Sequence, residues 1–490
     1  SWADQMASMS ERLPMPKAGS GGERAIDLQD GPIIVKHPLS ACERNLGDLQ
    51  HPVDELICGV IDKMVGNVEE PLKRFLAIWR LLPEKLGRKH EWLRHLPADT
   101  RIPDHTVWNH LDITAGMEAA LGGEGGGAFL SFTLGPVQSF ISEARSVRDL
   151  WSGSAILSWL TFNAMLPVIE AYGPTAVVFP CLRGAPLMDA WLQEQGIEVH
   201  STARMTPSIP NLFLAVVSYG QDGTDGHKLA EKCQCSATEA WLQLADNVKS
   251  KIEPELRRAC SNWDKRWDAQ VSNFFDFRTS VMPWRDVSDE YIAELMGGKF
   301  ASVFCDANKV RELAQAIPKD DQPGYSQDTA GHWQALVRLS SRVMDAQRSV
   351  RHVPPSAEDT ESLMVPGKCT LMGSYEQMGP DDMKEWRQFW DAARQLNVGG
   401  VRLRKGERLC AVAMVKRFAV AHLKSKLGIG HDDYHYEDTA TVAAKEWLDY
   451  AGIHLKEVRD WNGQWLHWSR RKNDEEEEPM PLEYLFSVRR

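Results

Sequence analysis

Apolar side chains between residues 50 and 94 return every three or four positions. In EPLKRFLAIWRLLPEKL, Leu72, Phe75, Leu76, Trp79 and Leu82 fall on one helical face, and VDELICGVIDKMVG shows helical spacing just before it. A proline-bounded turn, HLPADTRIPDH, leads into a further predicted helix, VWNHLDITAGMEAAL. Glycines at 122, 123, 125, 126 and 127 then interrupt the pattern, and a first domain boundary belongs there. Beyond it the rhythm changes. The pattern predicts a strand over 128–134, helices from about 137 to 170, a strand AVVFP at 176–180, a strand NLFLAVVSYG at 211–220 and a long helix through 227–252.

Strand, helix, strand, strand, helix is the order of a ferredoxin-like domain, so the fold class expected is α+β. Between 261 and 361 the pattern weakens, and tryptophans at 263, 267, 284 and 333 suggest a helical elaboration. From 362 a turn-rich segment holds Cys369 and Cys410, and the end carries WNGQWLHW followed by NDEEEEPMP.

The segment GPVQSFISEARSVRDLWSGSAILSWL, residues 135–160, concentrates the candidate chemistry. Val137, Phe140, Ile141, Ala144, Val147 and Trp151 recur at helical spacing and form the expected buried stripe. Gln138, Ser142, Arg145 and Asp149 lie on another face. Gly135 permits a tight turn and Pro136 suits a helix's first positions, which leaves backbone N–H groups near Gln138 and Ser139 able to meet an anion. The same residues also serve simply to close a strand–helix junction. Arg145 and Arg148 fit phosphate contact and ordinary salt bridging equally well. The stretch is not a phosphate-cradling Walker loop, since both the long glycine spacing and the Gly-Lys-Ser/Thr ending are missing.

Composition narrows the classes. At 490 residues the chain has room for about two to four domains and sizeable cores. Lys and Arg total 56 against 68 Asp and Glu, a formal charge of −12, which gives no whole-chain support for a nucleic-acid partner but leaves room for local basic grooves. Nine scattered cysteines form neither a small disulfide scaffold nor a dense metal cluster and fit a reducing cytosol. No apolar run approaches the roughly 20 residues that cross a bilayer, and no basic head precedes an apolar stretch at the start. The expectation is a soluble cytoplasmic protein with no membrane partner. The helical, amphipathic opening SWADQMASMSERLP suggests a chain that begins inside a domain.

The 135–160 segment resembles a signature of the large subunit of type III CRISPR effector complexes, closest to the type III-B form. LPADTRIPDHTVWNHLDITAG at 96–115, VVFPCLRGAPLMD at 177–189, IPNLFLAVV at 209–217, GERLCAVAMVKR at 406–417 and WNGQWLHW at 461–468 resemble further segments of that family, in the expected order. The resemblance implies a metal-dependent nuclease domain of the His-Asp type, two polymerase-like palms, a zinc-binding region and a helical tail. It also implies guide RNA, target RNA and smaller protein subunits as partners, single-stranded DNA as a substrate of the whole protein, and ATP with Mg²⁺ or Mn²⁺ for making cyclic oligoadenylate. The corresponding expectation here is a helical His-Asp-type remnant over 1–122 and a ferredoxin-like first palm over 128–260. A helical elaboration over 261–361 and a degenerate zinc-ribbon-like and helical region over 362–490 follow, with the chain ending near where a second palm should begin.

The family's catalytic residues transfer only in part. Its adjacent His-Asp pair has no counterpart. WADQMASMSERLPMP resembles the segment that carries a further Asp ligand, which places that role on Asp4, and Asp104 with His105 resembles an Asp-His turn. Without the missing pair these three hold a transition metal poorly. Gly379-Pro380-Asp381-Asp382 imitates the family's Gly-Gly-Asp-Asp hairpin, but the helix that follows predicts an N-terminal cap instead. His431, Asp432, Asp433 and His435 read as loop polarity. Cys369-x-x-Met372 and Cys410-x-x-Ala413 resemble two Cys-x-x-Cys arms that have each lost a cysteine, so zinc is not expected and packing should hold the region. Lys416 and Arg417 fit contact with nucleic acid or a neighbouring subunit, or a solvated helix face. Two readings follow: the large-subunit portion of an RNA-guided antiviral effector, inactive alone, or a noncatalytic, split or degenerated relative that organises the ribonucleoprotein.

Overall fold

The computed structural model describes residues 32–36, 40–48, 53–98, 105–123, 125–199, 206–256, 263–284, 332–350 and 367–427, together with single residues and short strands elsewhere. A hairpin that the apolar pattern does not announce, β1 (Pro32–Lys36) and β2 (Glu43–Asp48), precedes the helices. The periodic segments form α1 (Val53–Val65), α2 (Pro71–Lys89) and α3 (Val107–Leu121). Pro71 stands in the first turn of α2, where its missing N–H costs nothing, and Leu76, Trp79, Leu82 and Leu86 make the buried face. Thr106 and Asn109 close a reciprocal capping box at the start of α3. Gly116 lets α3 approach the following unit, since a Cβ there would lie 2.4 Å from the Thr175 carbonyl oxygen.

The following unit is built from β3 (Gly127–Gly135), α4 (Gln138–Ser142), α5 (Val147–Tyr172), β4 (Val177–Phe179), α6 (Pro186–Glu194), β5 (Leu212–Ser218) and α7 (Thr224–Leu256). Helix α8 (Trp263–Val271) and strand β6 (Asp276–Pro283) complete it. The strands pair antiparallel in the order β4-β5-β3-β6, with helices in the β3-to-β4 and β5-to-β6 connections, which is a split β-α-β arrangement. The fourth strand therefore falls at 276–283, beyond the 128–260 span predicted for this unit and inside the stretch predicted to be helical elaboration.

Alternation along β3 gives the sheet two buried faces. Phe132 stacks on Phe213 at 5.2 Å on the face covered by α5 and α7. On the other face Phe129 meets Trp284 and Trp333, and Ser131 Oγ lies 3.1 Å from Ser340 Oγ of α9 (His332–Ser349). Helix α5 is long and apolar enough to cross a bilayer by length and composition, but 78% of its apolar window is buried inside the fold. That is the position of a core helix.

A turn-rich segment from 367 leads to α10 (Met383–Ala393), and a loop then leads to α11 (Ala411–Phe418) and α12 (Val420–Lys426). The Thr370 N–H donates to the Arg408 carbonyl at 2.7 Å and the Met378 N–H to the Leu409 carbonyl at 2.8 Å, so the turn and the loop run side by side. Every residue of α11 is buried, Lys416 and Arg417 included. Near the C-terminus, β7 (Glu457–Arg459) pairs with β8 (Trp465–His467), and β9 (Ser469–Lys472) with β10 (Glu476–Pro479).

Candidate functional site

The 135–160 segment does not form one continuous helix. Helix α4 ends after Ser142, and the chain turns before Ser146 caps α5, its Oγ accepting the Asp149 N–H at 3.2 Å. Phe140 is fully buried, while Val137 and Ile141 pack half-buried against the same core. Gly135 is half-buried; Gln138 and Ser139 are exposed at the start of the five-residue α4. The three candidate anion-contacting residues thus lie where β3 passes into α4, two of them exposed and one half-buried.

Asp149, by contrast, is enclosed. It is 1% exposed, and its carboxylate accepts from Arg417 Nε at 2.6 Å and Nη2 at 3.0 Å and from the Arg145 N–H at 3.1 Å. Arg417 also donates to Glu407 through Nη1 at 2.9 Å and Nη2 at 3.0 Å, and Glu407 is itself 1% exposed. One guanidinium is therefore clamped between two buried carboxylates. Burial works against its charge, but the hydrogen bonds and charges of Glu407 and Asp149 outweigh burial and hold Arg417 above its ordinary pKa.

Lys416 lies beside it. Its ammonium donates to the carbonyl of Phe140, to that of Ile141 at 3.3 Å and to that of Glu143 at 2.7 Å, the acceptors that the end of α4 leaves unpaired. Ser152 Oγ donates back to the Lys416 carbonyl at 2.5 Å, and the ammonium sits 5.0 Å from the Phe140 ring centre. Gly153 makes room for this, since a Cβ there would come 2.9 Å from Lys416 Cε. Lys416 and Arg417 are 0% and 4% exposed. The expectation that they meet nucleic acid or another subunit is corrected: α11 is enclosed, and both cations are spent on internal acceptors.

The site predicts a pH dependence. Burial depresses Lys416 from 10.5 to about 8, against the raising influence of Asp149 and Glu143 and with the lowering influence of Arg417. Between those two values the unfolded chain binds more protons than the folded one, so this group's contribution to stability rises as pH increases from about 8 towards 10.5. Denaturant unfolding across that range should show the rise in the parent chain and a smaller one in Lys416→Met.

Arg145 is exposed and donates through Nη2 to the Thr370 carbonyl at 2.9 Å, and Arg148 is half-buried on α5. Asp4 and Asp104 lie outside the described residues, as do His431, Asp432, Asp433 and His435; His105 is half-buried just ahead of α3. Asp382 caps α10, accepting the Lys384 N–H at 2.9 Å, as the cap reading of Gly379-Pro380-Asp381-Asp382 expects. Asp381 pairs with Arg266, which also donates to the Gly379 carbonyl at 2.8 Å. The zinc-ribbon-like positions hold buried Cys369, Cys410, Met372 and Ala413. Two thiols fall short of the four ligands of structural zinc, so this donor set does not fit that metal. Among the described residues there is no cluster of three or more His, Cys, Asp or Glu placed to hold a metal ion.

A second clamp has no counterpart among the sequence predictions. Arg80 of α2, 3% exposed, meets Asp189 of α6, 1% exposed, through Nε at 2.6 Å and Nη2 at 3.0 Å, and also pairs with Glu84. Arg183 donates to the Trp79 carbonyl at 3.0 Å and to Asp112 of α3 at 2.5 Å. Arg183 and Asp189 both belong to VVFPCLRGAPLMD, so that segment fastens the N-terminal helices to the sheet.

Comparison with known proteins fits this arrangement. Residues 129–246 match the family described as CRISPR-associated protein Cmr2, N-terminal. CRISPR system Cmr subunit Cmr2 of Pyrococcus furiosus is 33% identical over 181 residues, 36% of this chain and 19% of that protein. CRISPR system CMR subunit Cmr2 of Saccharolobus solfataricus is 40% identical over 129 residues, 26% of this chain and 12% of that one. A chain of the type III-B Cmr-beta complex in its apo state shares the fold with a TM-score of 0.58 at 18% identity, covering 92% of this chain and 49% of that one. The complex bound to cognate target RNA gives 0.54, also at 18% identity, over 88% and 48%. The matched stretches thus span less than a fifth of the curated relatives and about half of the solved chains. The fold is thus shared with chains of the type III-B Cmr-beta complex, and the core over 129–246 is similar to the N-terminal region of Cmr2. Both curated relatives it resembles are Cmr2 subunits.

Proposed function

We propose that this chain is a structural core of an RNA-guided type III-B antiviral effector, acting in the cytoplasm with guide RNA, target RNA and smaller protein subunits. In this reading residues 1–122 correspond to the His-Asp-type region and the split β-α-β unit from 128 is the first palm, with its fourth strand at 276–283. The rest of 261–361 elaborates that palm, and 362–490 holds the zinc-ribbon-like region, which depends on packing and ion pairs rather than zinc. Gly135, Gln138 and Ser139 are proposed to meet a nucleotide phosphate. Arg145 and Arg148 are proposed to meet RNA or a neighbouring subunit.

The observation that carries the reading is the coincidence of the family match over 129–246 with the sheet unit at the centre of the fold. ATP with Mg²⁺ or Mn²⁺ would supply the triphosphate and the electrophilic activation for cyclic oligoadenylate synthesis by the whole effector. Asp381 and Asp382 are assigned no part in that chemistry, because one is paired with Arg266 and the other caps α10. Single-stranded DNA is proposed as a substrate of the assembled effector.

The test is co-expression with the other subunits and guide RNA of its own system. The chain should co-elute with the ribonucleoprotein, and by itself should give neither cyclic oligoadenylate from ATP and Mg²⁺ nor cleavage of single-stranded DNA with Mn²⁺. Exclusion from the complex would contradict the proposal. So would turnover by the chain alone that Asp381→Ala and Asp382→Ala abolish.

A further inference from the structure

The two cysteines that do not suffice for zinc are nonetheless brought together. Cys369 opens the turn at the start of the 367–378 segment, and Cys410 is the N-cap residue of α11. The hydrogen bonds from Thr370 to the Arg408 carbonyl and from Met378 to the Leu409 carbonyl stitch the two loops next to the pair. Both thiols lie in the same buried core, near enough that each acts on the other's ionisation. Each sulfur also receives backbone N–H groups: Leu371 and Met372 at 3.4 and 3.3 Å on Cys369, and Ala413 at 3.4 Å on Cys410.

Such contacts stabilise negative sulfur, as a helix N-terminus does. The hydrogen bond from Cys410 lowers the Cys369 thiol below its ordinary value, while burial raises Cys410. Lys368, Gly373 and Ser374 are exposed, so Cys369 lies directly beneath a surface turn, with the fully buried Cys410 behind it.

We propose that Cys369 and Cys410 form a reversible dithiol–disulfide couple, a modification site oxidised by exchange with small disulfides of the glutathione type. The Cys369 thiolate attacks one sulfur of the disulfide, forming a mixed disulfide and expelling a first thiolate. Cys410 then gives up its proton and attacks Cys369 Sγ, closing the internal bond and expelling a second thiolate. Two protein thiols are oxidised, one small disulfide is reduced to two thiols, and the two protons released from the cysteines end on those thiols. Closure ties the 369 turn covalently to the N-terminus of α11, the helix that carries Lys416 and Arg417. The inference is independent of the proposed function.

The test treats the full chain with oxidised glutathione at neutral pH, quenches with acid, alkylates free thiols after unfolding and reads the peptides by mass spectrometry. A linked peptide pair joining Cys369 to Cys410 should accumulate and be reversed by dithiothreitol. It should form about tenfold faster than any modification of Cys233, a buried thiol that burial pushes up to about 12. In Cys410→Ala, Cys369 should stop at the mixed glutathione disulfide. In Cys369→Ala, Cys410 should stay free, with circular dichroism confirming that both variants fold. The parent chain decides the matter without them. If Cys369 and Cys410 are both still alkylated under oxidant sufficient to modify the exposed Cys42, Cys58, Cys181 and Cys235, the proposal is wrong. It is equally wrong if Cys369 pairs with one of those four.

Discussion

Arg417→Met should destabilise the folded chain by about 3–5 kcal/mol, because it strands two buried carboxylates without their shared cation. Asp149 and Glu407 are each 1% exposed, and the bonds lost are Nε and Nη2 to Asp149 and Nη1 and Nη2 to Glu407. Denaturant unfolding of the variant measures the loss. Replacing all three charges together, as Arg417→Met with Asp149→Leu and Glu407→Leu, should recover much of it, since the cost lies in the orphaned charges rather than in the pair's own attraction. If Arg417 instead faced a ligand, the single substitution would leave stability within about 0.5 kcal/mol, as surface changes usually do.

Arg80→Met should be comparably costly, again about 3–5 kcal/mol, by leaving the Asp189 carboxylate buried without a cation. The two clamps fasten different joints: Arg80 and Asp189 join the N-terminal helices to the sheet, and Arg417 and Asp149 join the 404–418 region to it. Proteolysis should separate the two variants. Arg80→Met should expose sites in 53–121 first, and Arg417→Met sites in 367–427. Identical cleavage patterns would argue that the two joints open together.

Helices α1, α2, α3 and α7 and strands β3 and β5 follow directly from apolar spacing, because each has one buried face or is buried throughout. Strand β6 was hidden. DFRTSVMP carries Arg278, Thr279 and Ser280 in its middle, and its pairing partner β3 is more than a hundred residues away in sequence. The break between α4 and α5 was hidden for a local reason: the stripe from Val137 to Trp151 continues across it, and the interruption depends on Ser146 capping a new helix.

The clamps were the least legible part. Asp149 on a helix and Lys416-Arg417 at the end of another have the appearance of solvated positions, and only a contact 268 residues apart in the chain turns them inward. AVAMVKRF misleads in the same way, because it gathers its two charges on one side of the helix, the pattern of a solvated face, although every residue of it is buried. The cap at Asp382 was legible because capping is a local property of the residues next to the helix. Asp4 and Asp104, by contrast, were assigned through resemblance alone.

The 135–160 and 406–417 segments are matched to each other, their charges serving to lock the 404–418 region onto the sheet unit. A double-mutant cycle on Asp149→Ala and Arg417→Ala, read by denaturant unfolding, tests it most directly. A coupling of about 2–3 kcal/mol between the two sites is expected. Additivity within about 0.5 kcal/mol, with both single variants near the parent's stability, would contradict it.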